Sequence, residues 1–172
     1  MSKAKSETTP NNFVAIDFET ADRYRDSACA VALVKVENNQ IVQTDYRLIR
    51  PPRKKILFTY IHGITWPQVA DEPVFAEIWP ELSPLLEGAD YLAAHNASFD
   101  KSVLKACCRS ADLAPPDIPF ECTVKLARNT WNLYPTKLPD VCDFLGIPLN
   151  HHDAMSDALA CAKIAIAANQ TS

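Results

Sequence analysis

Acidic side chains follow an apolar strand-like run near the start of the sequence. In the stretch FVAIDFET, Asp17 and Glu19 lie two residues apart at the end of that run. Because successive strand side chains point to opposite faces, both carboxylates are expected on the same face. Taken alone, the pair is also explained by a strand end that reaches solvent, where carboxylates are common.

Two further acids occur in comparable settings. In AAHNASFD, Asp100 follows a buried strand and falls near the start of a helix, where an acid also favours the helix dipole. In HHDAMSDALACAKIAIAA, Asp157 lies within an alanine-rich helix. A carboxylate beside such an apolar face costs free energy unless it is paired or bound to a metal.

A histidine precedes the third acid by five residues. Five helical residues turn through about 500°, so His152 and Asp157 would not share a helix face. We therefore expect His152 on the preceding loop and Asp153 as the N-cap of the helix. By itself, His152 would be an ordinary exposed histidine.

Considered together, the acids predict a metal site. Ligands of α/β proteins bind outside strand ends, and four carboxylates that converge there repel one another unless cations lie between them. Mg²⁺ or Mn²⁺ fits such oxygen ligands. Two of these ions, about 4 Å apart, can hold a phosphodiester and activate water, while a histidine accepts the proton.

The elements that must position these residues follow from the apolar pattern. Strands are predicted at 13–20, 29–36 and 41–49, and Asn38-Asn39 suits a tight hairpin turn between the last two. A proline-broken helical region, two short strands and further helices follow, predicted at 66–87, 89–94, 101–109, 120–123, 124–129, 138–145 and 154–168. An antiparallel hairpin beside later parallel strands gives a mixed sheet covered by helices, an α/β fold.

Composition limits the class of protein. The 172 residues suggest one domain, expected at 13–172 after a polar flexible tail at 1–12. Three glycines and the lack of a glycine-rich phosphate loop disfavour a dinucleotide fold. The sequence shows neither a signal peptide nor a membrane span, and its six cysteines include no C-x-x-C pair, so we expect reduced thiols in a cytoplasmic protein without a membrane partner.

Three motifs resemble those of the DEDDh 3′–5′ exonucleases, the family that includes the proofreading subunit of bacterial replicative polymerase, ribonuclease T and oligoribonuclease. They are D-x-E-T at 17–20, N-x-x-F-D at 96–100 and H-x-A-x-x-D at 152–157. The resemblance covers about residues 13–168. It implies a ribonuclease H-like mixed five-stranded sheet with helices on both faces.

The resemblance also implies residue roles. Asp17 would bridge two Mg²⁺ or Mn²⁺ ions, Glu19 and Asp157 would complete one site, Asp100 would hold the other, and the motif histidine would be the general base. His151 lacks the motif spacing and is expected to be a bystander. The residues expected at the substrate 3′ end are Phe18, Thr20, His62, Gly63, Ile64, Asn96 and Phe99. Among these, Ile64 would pack on the terminal base, although its segment also reads as a simple turn at Gly63.

The resulting hypothesis is a metal-dependent exonuclease that releases nucleoside 5′-monophosphates from nucleic-acid 3′ ends, single-stranded DNA or RNA. A short-oligonucleotide hydrolase and a non-catalytic nucleic-acid-binding or polymerase-associated module remain alternatives. The resemblance leaves room for a homodimer and for a polymerase or repair partner. Many members read D-x-E-T-T-G where this chain reads DFETADRYRDSA, so strand preference stays open.

A basic stretch offers a second contact for nucleic acid. The net charge of −4 is unusual for a nucleic-acid binder, but two bound divalent cations would bring it to zero. The stretch RLIRPPRKK is either a solvated loop or a contact for the phosphate backbone. Its cations are Arg47, Arg50, Arg53, Lys54 and Lys55.

Overall fold

The computed structural model describes residues 12–171. Of the predicted tail, residues 1–11 lie outside the described residues. Asn12, however, is tied into the fold: its main-chain oxygen accepts a hydrogen bond from Asp90, and its side-chain oxygen accepts one from the N–H of Asn38. Asn12 therefore contacts the fold through both its main chain and its side chain.

Five strands form one mixed sheet, as predicted. They are β1 (Phe13–Thr20), β2 (Ala28–Glu37), β3 (Gln40–Leu48), β4 (Tyr91–Ala94) and β5 (Phe120–Cys122). Their order is β3-β2-β1-β4-β5, with β1, β2 and β3 antiparallel and with β4 parallel to both β1 and β5. Asn38 and Asn39 have φ of 51° and 62°, which is the conformation that a tight two-residue hairpin requires.

Within residues 12–171, seven helices connect and cover the strands. They are α1 (Thr59–His62), α2 (Trp66–Val69), α3 (Phe75–Leu82), α4 (Ala97–Ser110), α5 (Thr123–Trp131), α6 (Leu138–Leu145) and α7 (Ala154–Thr171), and a 3₁₀ turn spans Ser83–Leu86. Helix α4 begins four residues before its predicted start, because Asn96 takes a left-handed conformation (φ 60°) that turns the chain directly from β4 into the helix. Helix α7 runs three residues past its predicted end.

The two faces of β1 pack into separate apolar layers. Phe13 and Ala15 belong to a core shared with α5, α6 and α7, whereas Val14 and Ile16 belong to a core shared with α3 and α4. Helices on both faces are thereby confirmed. By the same alternation, Asp17 and Glu19 continue the face that α7 covers, which is where Asp157 is found.

None of the helices in residues 12–171 has the length and apolar character needed to cross a membrane. All six cysteines are free, and five of them are buried. Burial raises the pKa of Cys29 and Cys107 to about 12, so these thiols stay protonated near neutral pH.

Candidate active site

Three carboxylates meet at the end of β1. The residues are Asp17 and Glu19 on the strand and Asp157 in the first turn of α7, and each offers an oxygen within 4.8 Å of the others. Both Glu19 (9 % exposed) and Asp157 (4 % exposed) are withdrawn from water. The apolar packing of β1 against α7 therefore forces together groups that repel one another.

The fourth acid reaches the cluster from the opposite helical layer. Asp100 lies in the first turn of α4 and is 2 % exposed. Its Oδ1 accepts a hydrogen bond of 2.9 Å from the main-chain N–H of Phe18, the residue between the two acids of β1. The structure thus brings together all four acids that the sequence singled out.

The ionised forms of these carboxylates are strongly disfavoured. Burial, followed by repulsion from Asp100, Glu19 and Asp157, raises the pKa of Asp17 well above its usual value. Burial and the neighbouring acids raise the pKa of Glu19 to about 8, and burial raises the pKa of Asp100 to about 7. Such shifts are typical of buried carboxylates that need a positive charge beside them to stay ionised.

One oxygen of the cluster has no partner. Asp17 is partly exposed as a residue, yet its Oδ2 is buried and makes no hydrogen bond within the described part of the chain. A buried oxygen without a partner, surrounded by three more carboxylates, matches the hard oxygen ligands that divalent cations prefer. Asp17, Glu19, Asp100 and Asp157 can therefore hold divalent metal.

Two histidines face the third acid. His152 lies on the turn before α7 in a left-handed conformation (φ 69°), and its main-chain N–H donates to Oδ2 of Asp157 at 3.1 Å. Nδ1 of His151 lies 3.1 Å from the same oxygen, and the two imidazoles stack with centroids 3.7 Å apart. The contact between His151 and Asp157 was not predicted, because spacing along the sequence does not show which way a turn presents its side chains.

These contacts oppose each other electrostatically. Burial raises the pKa of Asp157, and the neighbouring imidazole of His151 partly offsets that shift. Burial and then the proximity of His151 lower the pKa of His152, so that imidazole is neutral at physiological pH. Asp153 caps α7 as predicted, because its Oδ1 accepts a 2.8 Å bond from the N–H of Ser156.

A cavity of about 840 Å³ opens beside the carboxylates. Five of the residues predicted to contact substrate line it: Phe18, Thr20, His62, Asn96 and Phe99. Gly63 and Ile64 do not line it. Ile64 is 8 % exposed and packs in the core, because the left-handed Gly63 (φ 77°) ends α1 and turns the chain inward. The apolar residues of this segment that reach the cavity are Phe58 and Ile61.

His62 joins two segments of the cavity wall. Its Nδ1 accepts a 3.0 Å bond from the N–H of Ile64, which leaves Nε2 to donate to the carbonyl oxygen of Thr20 at 2.9 Å. Burial lowers the pKa of His62, consistent with a neutral ring in this tautomer. The imidazole therefore fixes the end of β1 relative to α1.

Sequence reasoning missed the cavity wall formed by α5 and the loop after it. The residues of this wall include Lys125, Arg128, Tyr134, Thr136 and Lys137. They belong to none of the three acidic motifs, and no periodicity marks them as cavity residues. His95 was within a quoted motif but received no role, although its Nε2 lies 2.9 Å from the carbonyl oxygen of Thr136.

The basic stretch is partly committed to ion pairs. Arg47 pairs with Asp45 and Glu81 at 2.9 and 2.8 Å. Arg53 binds Asp22 at 2.6 Å and also contacts Asp26. Two of its five cations are thus used within the protein, which favours a structural role for them.

The fold and the buried acidic centre agree with membership of a nuclease family. Residues 14–165 match the model of the RNase T exonuclease family, and the chain belongs to this family. It is 33% identical over 168 residues to exodeoxyribonuclease 10 of Escherichia coli strain K12, covering 91% of this chain and 68% of that protein. It is also 31% identical over 156 residues to the PolC-type DNA polymerase III of Thermotoga petrophila, covering 88% of this chain. The match spans only 11% of that polymerase.

Solved structures agree with this assignment. Exonuclease X in complex with 5′-overhanging duplex DNA superposes with a TM-score of 0.76 at 28% identity, covering 93% of this chain and 92% of that one. The nuclease domain of 3′hExo, a DEDDh family member bound to rAMP, shares the fold with a TM-score of 0.81 at 20% identity, covering 97% and 94%. The resemblance to DEDDh exonucleases and the ribonuclease H-like fold are confirmed, and the family is dependent on divalent metal.

Proposed function

We propose that this protein is a 3′–5′ exonuclease that removes nucleoside 5′-monophosphates from single-stranded DNA ends. The observation that carries the proposal is the buried cluster of four carboxylates around the unpartnered Oδ2 of Asp17. The similarity to an exodeoxyribonuclease supports DNA as the substrate.

The four acids have distinct positions in this proposal. Asp17, whose carboxylate is repelled by all three of the others, would contact two Mg²⁺ or Mn²⁺ ions. Glu19 and Asp157 would complete one site, and Asp100 would hold the second. When bound, the ions neutralise the cluster, lower the pKa of water and stabilise the charge on the phosphoryl group. The hydrogen bond from Phe18 orients the carboxylate of Asp100.

His152 is the proton acceptor. Its ring lines the cavity and is neutral near pH 7, so an imidazole nitrogen can take the proton of the attacking water. The water oxygen bonds to phosphorus, the bond from phosphorus to the 3′ oxygen breaks, and the strand leaves with a free 3′-hydroxyl. Thr20, Asn96 and Phe99 line the cavity and would surround the terminal nucleotide.

A gel assay tests the proposal. Single-stranded DNA and RNA, labelled at the 5′ end, are incubated with the wild type and His152→Ala in Mg²⁺, Mn²⁺ or EDTA. We expect a ladder that shortens from the 3′ end, depends on metal, is stronger on DNA and is lost in the variant. A folded, metal-supplied protein that cleaves neither strand would contradict the proposal and favour a binding module. Oligomers of two to about twenty nucleotides distinguish it from a short-oligonucleotide hydrolase.

A further inference from the structure

Cations line part of the same cavity that holds the acidic cluster. Helix α5 and the loop after it contribute Lys125, Arg128 and Lys137, next to the highly exposed ring of Tyr134. None of the three cations forms a salt bridge within residues 12–171. In a protein of net charge −4, unpaired cations inside a cavity indicate an anionic ligand.

The guanidinium of Arg128 is held in place from one side only. Its Nε donates a 2.9 Å hydrogen bond to the hydroxyl of Thr136. The carbonyl oxygen of Thr136 lies 2.9 Å from Nε2 of His95, whose Nδ1 lies 2.8 Å from the hydroxyl of Thr123. This chain of contacts ties the loop to both β4 and α5. The two terminal nitrogens of Arg128 make no hydrogen bond within the described residues, so the fork that suits a phosphate is free.

A second cation lies on the same helix face. Lys125 precedes Arg128 by three residues, a spacing that places both side chains on one side of α5. Both are exposed and both line the cavity. The ring of Tyr134 lies 5.9 Å from the guanidinium carbon and flanks the pair. Two cations beside an exposed aromatic ring form a surface suited to a nucleic-acid strand.

The cavity has room for more than the terminal nucleotide of a substrate strand. Its volume of about 840 Å³ is near the upper end of the usual range for small-ligand sites. If the last phosphodiester lies at the carboxylates, the strand must leave the cavity past another wall. Lys125, Arg128 and Lys137 are the lysine and arginine side chains that line this cavity, and the first two share one face of α5.

We propose that Lys125 and Arg128 bind the backbone phosphate immediately upstream of the scissile one. The inference rests on the proposed exonuclease function and adds a substrate preference to it. A strand with at least two linked phosphates is selected over a phosphodiester with one. Arg128 is thereby a binding and positioning residue and takes no part in the chemical step.

The experiment combines a protein change with a substrate change. Lys125→Gln/Arg128→Gln and the wild type are compared on two single-stranded DNA 20-mers. One is unmodified, and the other carries a neutral methylphosphonate at the single linkage upstream of the scissile phosphate. We expect each change alone to lower kcat/KM at least tenfold. We expect the variant to lose less than threefold further when the modified strand is used, because the interaction is already absent.

Controls separate binding from structure. Lys105→Gln/Arg109→Gln removes the same charges from the exposed side of α4 and is expected to keep the full sensitivity to the methylphosphonate. Thr136→Val removes the hydroxyl that orients Arg128 but leaves both cations, so it should retain most of that sensitivity. If the protein change and the methylphosphonate instead act independently, kcat/KM of Lys125→Gln/Arg128→Gln on the modified strand falls about a hundredfold below that of the wild type on the unmodified strand. That result would overturn the assignment.

Failure of the proposed exonuclease function gives a different result from failure of the phosphate contact. A wild type that degrades neither strand contradicts exonuclease activity itself. The same four combinations are then compared by fluorescence anisotropy of labelled strands in Ca²⁺, which needs no turnover. Coupled losses of affinity would support the phosphate contact, and independent losses or equal binding throughout would contradict it.

Discussion

The main-chain N–H of Phe18 donates a hydrogen bond to Oδ1 of Asp100, a residue 82 positions further along the chain. This bond links strand β1 to the first turn of α4 at the point where the strand also carries Asp17 and Glu19. The backbone of one strand thus presents two carboxylates and orients a third. The bond restricts the side chain of Asp100, which reduces the conformational entropy that this residue would lose on binding a ligand.

The two roles of Asp100, as anion and as hydrogen-bond acceptor, can be separated by substitution. Asp100→Asn retains an acceptor for Phe18 and removes a charge from the cluster, so without metal we expect its unfolding temperature to exceed that of the wild type. Asp100→Ala removes both, and we expect it to be about 1–2 kcal/mol less stable than Asp100→Asn because the Phe18 N–H loses its partner. Thermal denaturation in EDTA measures both differences. Equal stabilities of the two variants would contradict the role of the bond.

Burial of the acids, together with their mutual repulsion, makes stability without metal dependent on pH. The pKa values of Glu19 (about 8) and Asp100 (about 7) are raised above their ordinary values, so the folded protein binds more protons than the unfolded chain. The stabilising contribution of protonation is present below about pH 4 and is lost as pH rises toward 8. In EDTA we therefore expect the unfolding temperature to fall between pH 5 and pH 8.

Two comparisons isolate this effect from other titrating groups. Saturating Mg²⁺ should flatten the fall, because the cation replaces the protons as the compensating charge. Asp157→Asn should also flatten it in EDTA, since Asp157 is an acid whose charge raises the pKa of both Glu19 and Asp100. A wild-type profile in EDTA that matches the profile in Mg²⁺ would show that the cluster does not bind the ion.

Most of the sheet and all four acids could be predicted from the sequence, because the signals that specify them are local. The alternation in Phe13–Thr20 marks both a strand and the shared face of its two acids. The asparagine pair at 38–39 marks the hairpin, and Asp153 marks the start of α7. Each of these depends on residues within a few positions of one another.

What the sequence did not reveal depends on contacts between distant segments. Ile64 was expected at the substrate, yet the turn at Gly63 carries it into the core and leaves Ile61 at the cavity. Arg128 is oriented at the cavity by Thr136, which His95 contacts in turn, and these three residues come from α5 and from two separate connecting segments. Periodicity within one element contains no information about contacts between side chains of distant segments.

The adjacent histidines should differ in their effects on activity. His152→Ala should lower kcat by about a hundredfold to ten-thousandfold, the usual contribution of a general base, while Mn²⁺ still raises the unfolding temperature. His151→Ala should lower kcat less than tenfold, because its imidazole contacts Asp157 and its loss leaves the proton acceptor in place. Steady-state assays on a single-stranded 20-mer compare them. A larger loss for His151→Ala would reverse the assignment.

Removal of Arg53 tests whether the basic stretch is structural. Its guanidinium binds Asp22 and Asp26 and lies 4.8 Å from the ring centroid of Tyr24, so it holds the loop after β1. Burial alone would raise the pKa of Asp22, but hydrogen bonds from Arg53 and Tyr24 lower it. Arg53→Gln leaves that carboxylate without its cation, and because Arg53 is 39 % exposed we expect a loss of about 1–2 kcal/mol rather than the larger cost of a fully buried pair.

Lys54→Gln is the matched control, because it removes the neighbouring exposed charge without breaking an ion pair of the described residues. Urea denaturation at pH 7 should give unchanged stability for Lys54→Gln and the loss only for Arg53→Gln. The loss should shrink as pH falls through the lowered pKa of Asp22, since the protonated carboxyl no longer needs the cation. Equal stability of the two variants, together with a reduced salt dependence of DNA binding for both, would instead make residues 47–55 a contact for the phosphate backbone.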